Sequence, residues 1–196
     1  MVQFTPSIFQ RSGFVINQLS GGGCEHMGNF PTFPVKGKLK MSPDNILNYR
    51  INVSEEKGHA GYYEAMVQED IKAKLTVTER TGMASYEYPA DQQYGTIIIG
   101  GGISATPIEQ AAIVITAPNK CEGYAEGGNF CGLRTPYKVY FVAEFDTDAF
   151  ETGTWKREEL MPNTTFAEGE YSGVYFTFDV NKRRIFNIRL EFLMFQ

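Results

Sequence analysis

Short apolar segments separated by turn residues run along this chain from end to end. They are bounded by Gly, Pro, Asn or Asp, and long tracts with a 3.6-residue helical period are missing. The predicted strands cover residues 14–19, 61–68, 71–79, 84–88, 96–99, 112–116, 137–145, 173–178 and 185–195. Many short strands punctuated in this way are typical of a β-sandwich or barrel, so we expect an all-β, antiparallel fold.

Two of these segments predict how the sheets are covered. In residues 71–78, apolar and polar positions alternate strictly, which places one face of that strand on the core and the other in water. Residues 137–145 are apolar at both sets of alternate positions over most of their length. Such a strand is expected at the centre of a sheet that is covered on both faces.

Length and charge narrow the class of protein. The chain has 196 residues, without an internal repeat or a linker, which favours one compact domain. Its net charge of -5 argues against a nucleic-acid partner, because phosphate recognition relies on clustered Lys and Arg. No apolar stretch reaches the roughly 18 residues of a membrane helix, and the first residues lack the layout of a signal peptide.

The three cysteines, Cys24, Cys121 and Cys131, are too few for a disulfide framework, and their spacing fits no zinc site. Two interpretations of Cys121 and Cys131 remain open. They form a disulfide in an oxidising compartment, or they are free thiols.

Two glycine clusters follow predicted strands. The first, residues 21–23, lacks the Gly-Lys-Ser/Thr ending of a phosphate loop, and Pro31 and Pro34 follow where a helix should start. A turn that shapes a sugar pocket and a purely structural loop both remain open. The second cluster, residues 100–102, predicts a turn or a bulge.

Candidate catalytic groups are sparse. Cys24 and His26 share a loop, and four acidic residues cluster at the end of the long apolar strand, where a solvated turn is the favoured interpretation. These are Glu144, Asp146, Asp148 and Glu151. Aromatic side chains can stack on sugar faces, and most of the candidates of this type are expected in the core or in cross-strand pairs. The candidates are Tyr62, Tyr63, Tyr86, Tyr88, Tyr124 and Trp155.

Several stretches resemble the N-terminal domain of family 92 glycoside hydrolases, exo-acting α-mannosidases, and they occur in the family's order. Ser20-Gly21-Gly22-Gly23-Cys24 is similar to a Ser-Gly-x-Gly-Cys loop, and Gly128-Asn129-Phe130-Cys131-Gly132 to a Gly-x-Phe-Cys-Gly segment before a long buried strand. Between them lie Gly61-Tyr62-Tyr63, the run 71–80 with Gly82, and Tyr86-Glu87-Tyr88-Pro89. The resemblance covers residues 1–180 as one N-terminal domain that is truncated at both ends. Residues 181–196 are expected to be an atypical tail that completes or replaces the last strand.

The resemblance implies a β-sandwich of the galactose-mutarotase-like or supersandwich type, packed on an (α/α)6 domain. The family's inverting mechanism uses a carboxylic acid, a carboxylate and a calcium ion that contacts mannose. The resemblance implies that the carboxylates and most metal contacts come from the (α/α)6 domain, which we expect to lie outside this chain. We therefore expect a non-catalytic domain of a periplasmic or secreted α-1,2-mannosidase, with no metal site of its own and a mannose-containing glycan as ligand.

The resemblance also indicates which residues line the sugar pocket. They are Asn17, Gln18, Ser20, Gly21, Gly22, Gly23, Cys24 and Glu25. Many family members carry a His where this chain has Asn17 and Gln18, so a sugar-binding His is not carried over. The alternative function is a free-standing carbohydrate-binding or interaction β-sandwich. In either case an uncovered apolar face is expected to favour self-association.

Overall fold

The computed structural model describes residues 13–17, 27–46 and 53–195. Within these ranges the chain forms fourteen strands and one short helix, α1. The elements are β1 Thr32–Lys36, α1 Pro43–Ile46, β2 Val53–His59, β3 Tyr62–Val67, β4 Ile71–Val77, β5 Thr81–Glu87, β6 Tyr94–Gly100, β7 Ile108–Ala117, β8 Lys120–Phe130, β9 Leu133–Phe145, β10 Glu151–Lys156, β11 Glu159–Pro162, β12 Phe166–Glu168, β13 Ser172–Asp179 and β14 Ile185–Phe195.

The strands form two sheets, and the strand pairs within them are antiparallel. The five-stranded sheet has the order β1-β6-β13-β10-β11, and the nine-stranded sheet has the order β12-β7-β8-β9-β14-β5-β4-β3-β2. Aromatic side chains join the two sheets: the Phe145 ring of β9 lies 4.8 Å from Phe176 and 5.0 Å from Phe178 of β13, centroid to centroid. The predicted all-β, antiparallel sandwich is confirmed.

Burial along β4 follows the predicted alternation. Ile71, Ala73 and Leu75 are buried, whereas the lysines between them are not. β14 lies between β9 and β5, inside the nine-stranded sheet. Its residues Phe186, Ile188 and Leu190 are at most 1% exposed, so this strand supplies a full share of the core.

Coverage on both faces was predicted for the wrong strand. In β9, Val139 and Phe141 are buried, but Tyr140 between them is 39% exposed and Val142 is only half-buried. The strands that are buried at both sets of alternate positions are β6 and β13 of the five-stranded sheet. Apolar composition alone therefore did not distinguish a doubly covered strand from one whose outer face is open.

Candidate functional site

Asn17 belongs to the predicted sugar-lining segment, and the structure ties it to Asn29. The Asn29 backbone N–H donates to Asn17 Oδ1 at 2.9 Å, and Asn17 Nδ2 donates to Asn29 Oδ1 at 3.2 Å. These two residues stand on either side of the rest of the predicted segment. Gln18, Ser20, Gly21, Gly22, Gly23, Cys24 and Glu25 lie outside the described residues. Two reciprocal hydrogen bonds thus hold Asn17 and Asn29 together, and we call this pair the base of the segment.

Asn29 is fully buried and links this base to the nine-stranded sheet. The Tyr137 hydroxyl, on β9, donates to Asn29 Oδ1 at 3.1 Å. Within the described residues Asn29 Nδ2 has no hydrogen-bond partner. A buried donor without a partner is unfavourable by about 1–3 kcal/mol, so Nδ2 is a group to which an acceptor oxygen would bind favourably.

The backbone beside Asn29 is unusual. Met27, Gly28 and Phe30 have positive φ angles of 63°, 74° and 56°. A left-handed residue other than glycine is unfavourable by about 1–3 kcal/mol and persists only where its surroundings hold it. Here the Ala105 N–H donates to the Met27 carbonyl at 2.8 Å, and the Phe30 ring stacks on Phe141 at 3.9 Å. Such strain is characteristic of functional segments.

The second glycine cluster comes to the same end of the sandwich. The Gly100 N–H donates to the Pro31 carbonyl at 2.9 Å, two residues after Asn29. The N–H groups of Gly101 and Gly102 both donate to the Ser172 carbonyl, at 2.9 and 3.0 Å. Two consecutive N–H groups on one carbonyl are the pattern of a β-bulge, one of the two predicted interpretations, and the Gly100–Pro31 hydrogen bond ties it to the segment that contains Asn29.

The proposed bridge between Cys121 and Cys131 is wrong, and so is the pair of free thiols. Cys121 is a free thiol that is fully buried, and Cys131 is disulfide-bonded to a partner outside the described residues. Burial raises the pKa of the Cys121 thiol, with a smaller contribution from Glu122, so this sulfur stays protonated. Cys121 is therefore part of the core, whereas Cys131 anchors a crosslink at the β8–β9 hairpin.

Three of the four acidic residues between the end of β9 and the start of β10 are engaged in structural contacts. Glu144 pairs with Arg189 at 3.2 Å, and Glu151 pairs with Lys38 at 2.7 Å. Asp146 pairs with Arg183 and accepts a hydrogen bond from the Asn187 amide. This supports the interpretation as a solvated, ion-paired turn. Among the described residues, no group of three or more His, Cys, Asp or Glu side chains is placed to hold a metal ion.

The candidate aromatic residues divide by burial. Tyr86, Tyr88 and Trp155 are fully buried and belong to the core, as most of this set was expected to do. Tyr62 and Tyr63 are half-buried, and their hydroxyls donate to Glu64 and Glu56. Tyr124 is half-buried on the outer face of β8. Tyr124 is thus the candidate that faces an open depression.

Replacing Asn17 by alanine tests the link to Asn29. Both hydrogen bonds would be lost and the buried Asn29 N–H left unpaired, so we expect the free energy of unfolding to fall by about 1–3 kcal/mol in urea titrations. The control is Asn181→Ala, in an exposed turn, which is expected to change stability by no more than about 0.5 kcal/mol. Equal effects of the two substitutions would contradict this role of Asn17.

Comparison with known proteins places the chain in a family. Residues 3–190 match the sequence profile described as the glycosyl hydrolase family 92 N-terminal domain. No curated protein sequence matches the chain. Within the described residues, there is no helix with the length and apolar character needed to cross a membrane.

Solved structures share the fold. The GH92 family glycosyl hydrolase ccman5 is 18% identical with a TM-score of 0.79, over 97% of this chain and 28% of that one. The family GH92 α-mannosidase BT3965 from Bacteroides thetaiotaomicron is 22% identical with a TM-score of 0.76, over 92% and 26%. The inverting mannosidase BT2199 from the same organism is 22% identical with a TM-score of 0.68, over 83% and 21%. The chain therefore spans about a quarter of the length of these relatives. With the profile match over nearly all of its residues, the chain belongs to the glycosyl hydrolase family 92 N-terminal domain family.

Proposed function

We propose that this chain is the non-catalytic N-terminal domain of an α-1,2-mannosidase. The observation that carries the proposal is the family match over residues 3–190. It is supported by the fold shared with structures that are named mannosidases, of which this chain covers 21% and 26%. The catalytic acid and base are then supplied by the (α/α)6 domain that the resemblance implies. The substrate is a mannose-containing glycan.

In this proposal the segment from Asn17 to Glu25 lines the mannose pocket. Support comes from its base, where the half-buried Asn17 and the buried Tyr137 both form hydrogen bonds with the buried Asn29. A segment whose ends are fixed loses less entropy on binding a ligand than one whose ends are free. The described residues would thus orient the pocket segment and exclude water from the position where a sugar oxygen could accept a hydrogen bond from Asn29 Nδ2.

Calcium belongs to the longer enzyme in this proposal. The described residues do not offer a group of three or more suitable ligands, and no step here is assigned to the ion. A periplasmic or secreted location is likewise proposed. It is supported by the disulfide at Cys131, because disulfides persist mainly in oxidising compartments.

Hydrolysis of mannobiose tests the proposed function. We expect no release of mannose by this chain, and release by a version that is extended through an (α/α)6 domain, because acid and base must both be present for turnover. Mannose release is measured by anion-exchange chromatography. Turnover by the short chain at the rate of the extended protein would overturn the proposal.

A second candidate function is a free-standing carbohydrate-binding sandwich. The observation that favours it is the open, aromatic-lined depression beside Tyr124 on the outer face of the nine-stranded sheet. Saturable binding of sugar by the isolated chain, without hydrolysis in any extended form, would favour this candidate over the first.

A further inference from the structure

The outer face of the nine-stranded sheet carries a depression of about 380 Å³. It lies over β7, β8 and β9, and β12 forms one edge; its lining includes Val114, Glu122, Tyr124, Tyr140, Val142 and Phe166. Phe166 is 53% exposed and Tyr140 39% exposed. Small-molecule sites have volumes of about 300–1,000 Å³, so the depression has room for one or two sugar rings.

Two tyrosines form one wall. Tyr124 and Tyr140 are register partners on β8 and β9, and their ring centroids are 5.9 Å apart. The Lys138 ammonium lies 4.1 Å from the Tyr124 centroid and 5.2 Å from that of Tyr140, and it pairs with Glu126 at 2.5 Å. Lys138 comes two residues before Tyr140 and Val142 two residues after it. The lining includes Val142 and not Lys138, so the depression lies on the Val142 side of the tyrosine pair.

The remaining walls come from the next row of the sheet. Phe166 pairs with Val114, Val114 with Glu122, and Glu122 with Val142. This row places the exposed Phe166 ring at one edge and the exposed Glu122 carboxylate within the depression's lining. The site thus combines apolar walls with one strong hydrogen-bond acceptor.

The chemistry of these walls restricts the ligand. A cation is disfavoured because Lys138 already lies against both tyrosine rings. An anion is disfavoured by Glu122. A protein partner is disfavoured because charged Glu122, Glu191 and the Lys138–Glu126 pair interrupt the apolar surface, whereas the buried core of a protein interface is depleted in charged residues. A neutral ring with a flat C–H face and hydroxyl groups at its edge fits all three conditions.

We propose that this depression is a surface site for a pyranose ring, separate from the segment at Asn17. The C–H face of the sugar packs against Tyr124, Tyr140 and Phe166, and a hydroxyl donates to the Glu122 carboxylate. The identification of the sugar as mannose rests on the proposed function. The binding mode rests only on the residues that line the depression. Affinity at such an open site is weak, with a dissociation constant of about 1 mM.

Titration of the whole ¹⁵N-labelled chain with methyl α-mannoside tests the proposal by NMR. We expect saturable shifts confined to amides of β7, β8, β9 and β12. Tyr140→Ala and Phe166→Ala are expected to weaken binding about tenfold, and Glu122→Gln about fivefold, since each removes one contact. The matched control is Phe150→Ala, an aromatic residue of similar exposure, 55%, that is outside the depression and is expected to change the dissociation constant less than about twofold.

Several outcomes would overturn the proposal. They are an absence of saturable shifts in the depression, an equal loss of affinity in Phe150→Ala, and dimerisation through this face in sedimentation experiments without sugar. Because the replaced residues are exposed, thermal unfolding can verify that each variant folds. Binding of glucose or galactose in place of mannose would support the site and overturn only the identification of its sugar as mannose. Mannobiose hydrolysis by the extended protein, together with no sugar binding in the depression, would support the proposed function and overturn the surface site.

Discussion

Replacing Gly102 by alanine is expected to lower the free energy of unfolding by about 3 kcal/mol. A Cβ atom at this position would overlap the carbonyl oxygen of Gly169, which is backbone and cannot rotate away. The turn has little freedom to shift, because the Gly102 N–H donates to the Ser172 carbonyl at 3.0 Å and its carbonyl accepts from the Tyr171 N–H at 2.9 Å. Any movement that relieves the overlap would strain or break these hydrogen bonds.

Urea unfolding followed by tryptophan fluorescence measures this effect, since the chain has one tryptophan, Trp155, and it is fully buried. The matched control is Gly58→Ala in the exposed strand β2, where a Cβ atom would meet its nearest neighbour at an ordinary 3.4 Å. That change is expected to stay within about 0.5 kcal/mol. If the two alanines destabilised the protein equally, close approach of backbone at Gly102 would not be the cause.

Removing the disulfide at Cys131 is expected to have the second large effect. The chain has three cysteines and Cys121 is free, so we infer that the crosslink joins Cys131 to Cys24. A crosslink between positions so far apart in sequence strongly restricts the unfolded chain. Cys131→Ser is therefore expected to lower the free energy of unfolding by about 2–4 kcal/mol.

A reductant provides the diagnostic comparison. Dithiothreitol should destabilise the wild type and a Cys121→Ala variant to a similar extent, and leave Cys131→Ser unchanged. Cys121→Ala is the matched control, because it removes a buried thiol and keeps the crosslink. A tryptic digest without reductant should join the peptide containing Cys24 to the peptide between Lys120 and Arg134. Loss of reductant sensitivity in Cys121→Ala would show that the pairing is different.

The fold could be predicted from the sequence because alternation of apolar positions and turn residues are both local features of the chain. The alternation in residues 71–77 sets which side chains of β4 face the core, and the turn residues set where strands end. The prediction that β9 is covered on both faces was wrong, and the reason is physical. Tyr140 and Val142 are apolar, but their surroundings depend on what lies across the sheet, and neighbouring residues in sequence do not carry that information.

The candidate site was less accessible for the same reason. Asn17 entered through a resemblance, whereas its partner Asn29 and the Tyr137 hydroxyl that bonds Asn29 gave no sequence signal that they meet. They are 108 positions apart, and their contact follows from the packing of β9 beside the segment after Gly28. Cys131 shows the same limit: three cysteines permit three pairings, and Cys121 is excluded as its partner only because the structure shows Cys121 as a free thiol.

The position of β14 has a consequence for the synthesis of the protein. Among the described strands β14 is the last to be synthesised, yet it joins β9 to β5 in the middle of the nine-stranded sheet. Until it is made, β9 and β5 each present an unpaired edge, and such edges associate readily with other chains. Emergence of β14, rather than of the first hairpins, therefore sets the moment at which these two edges become protected from aggregation.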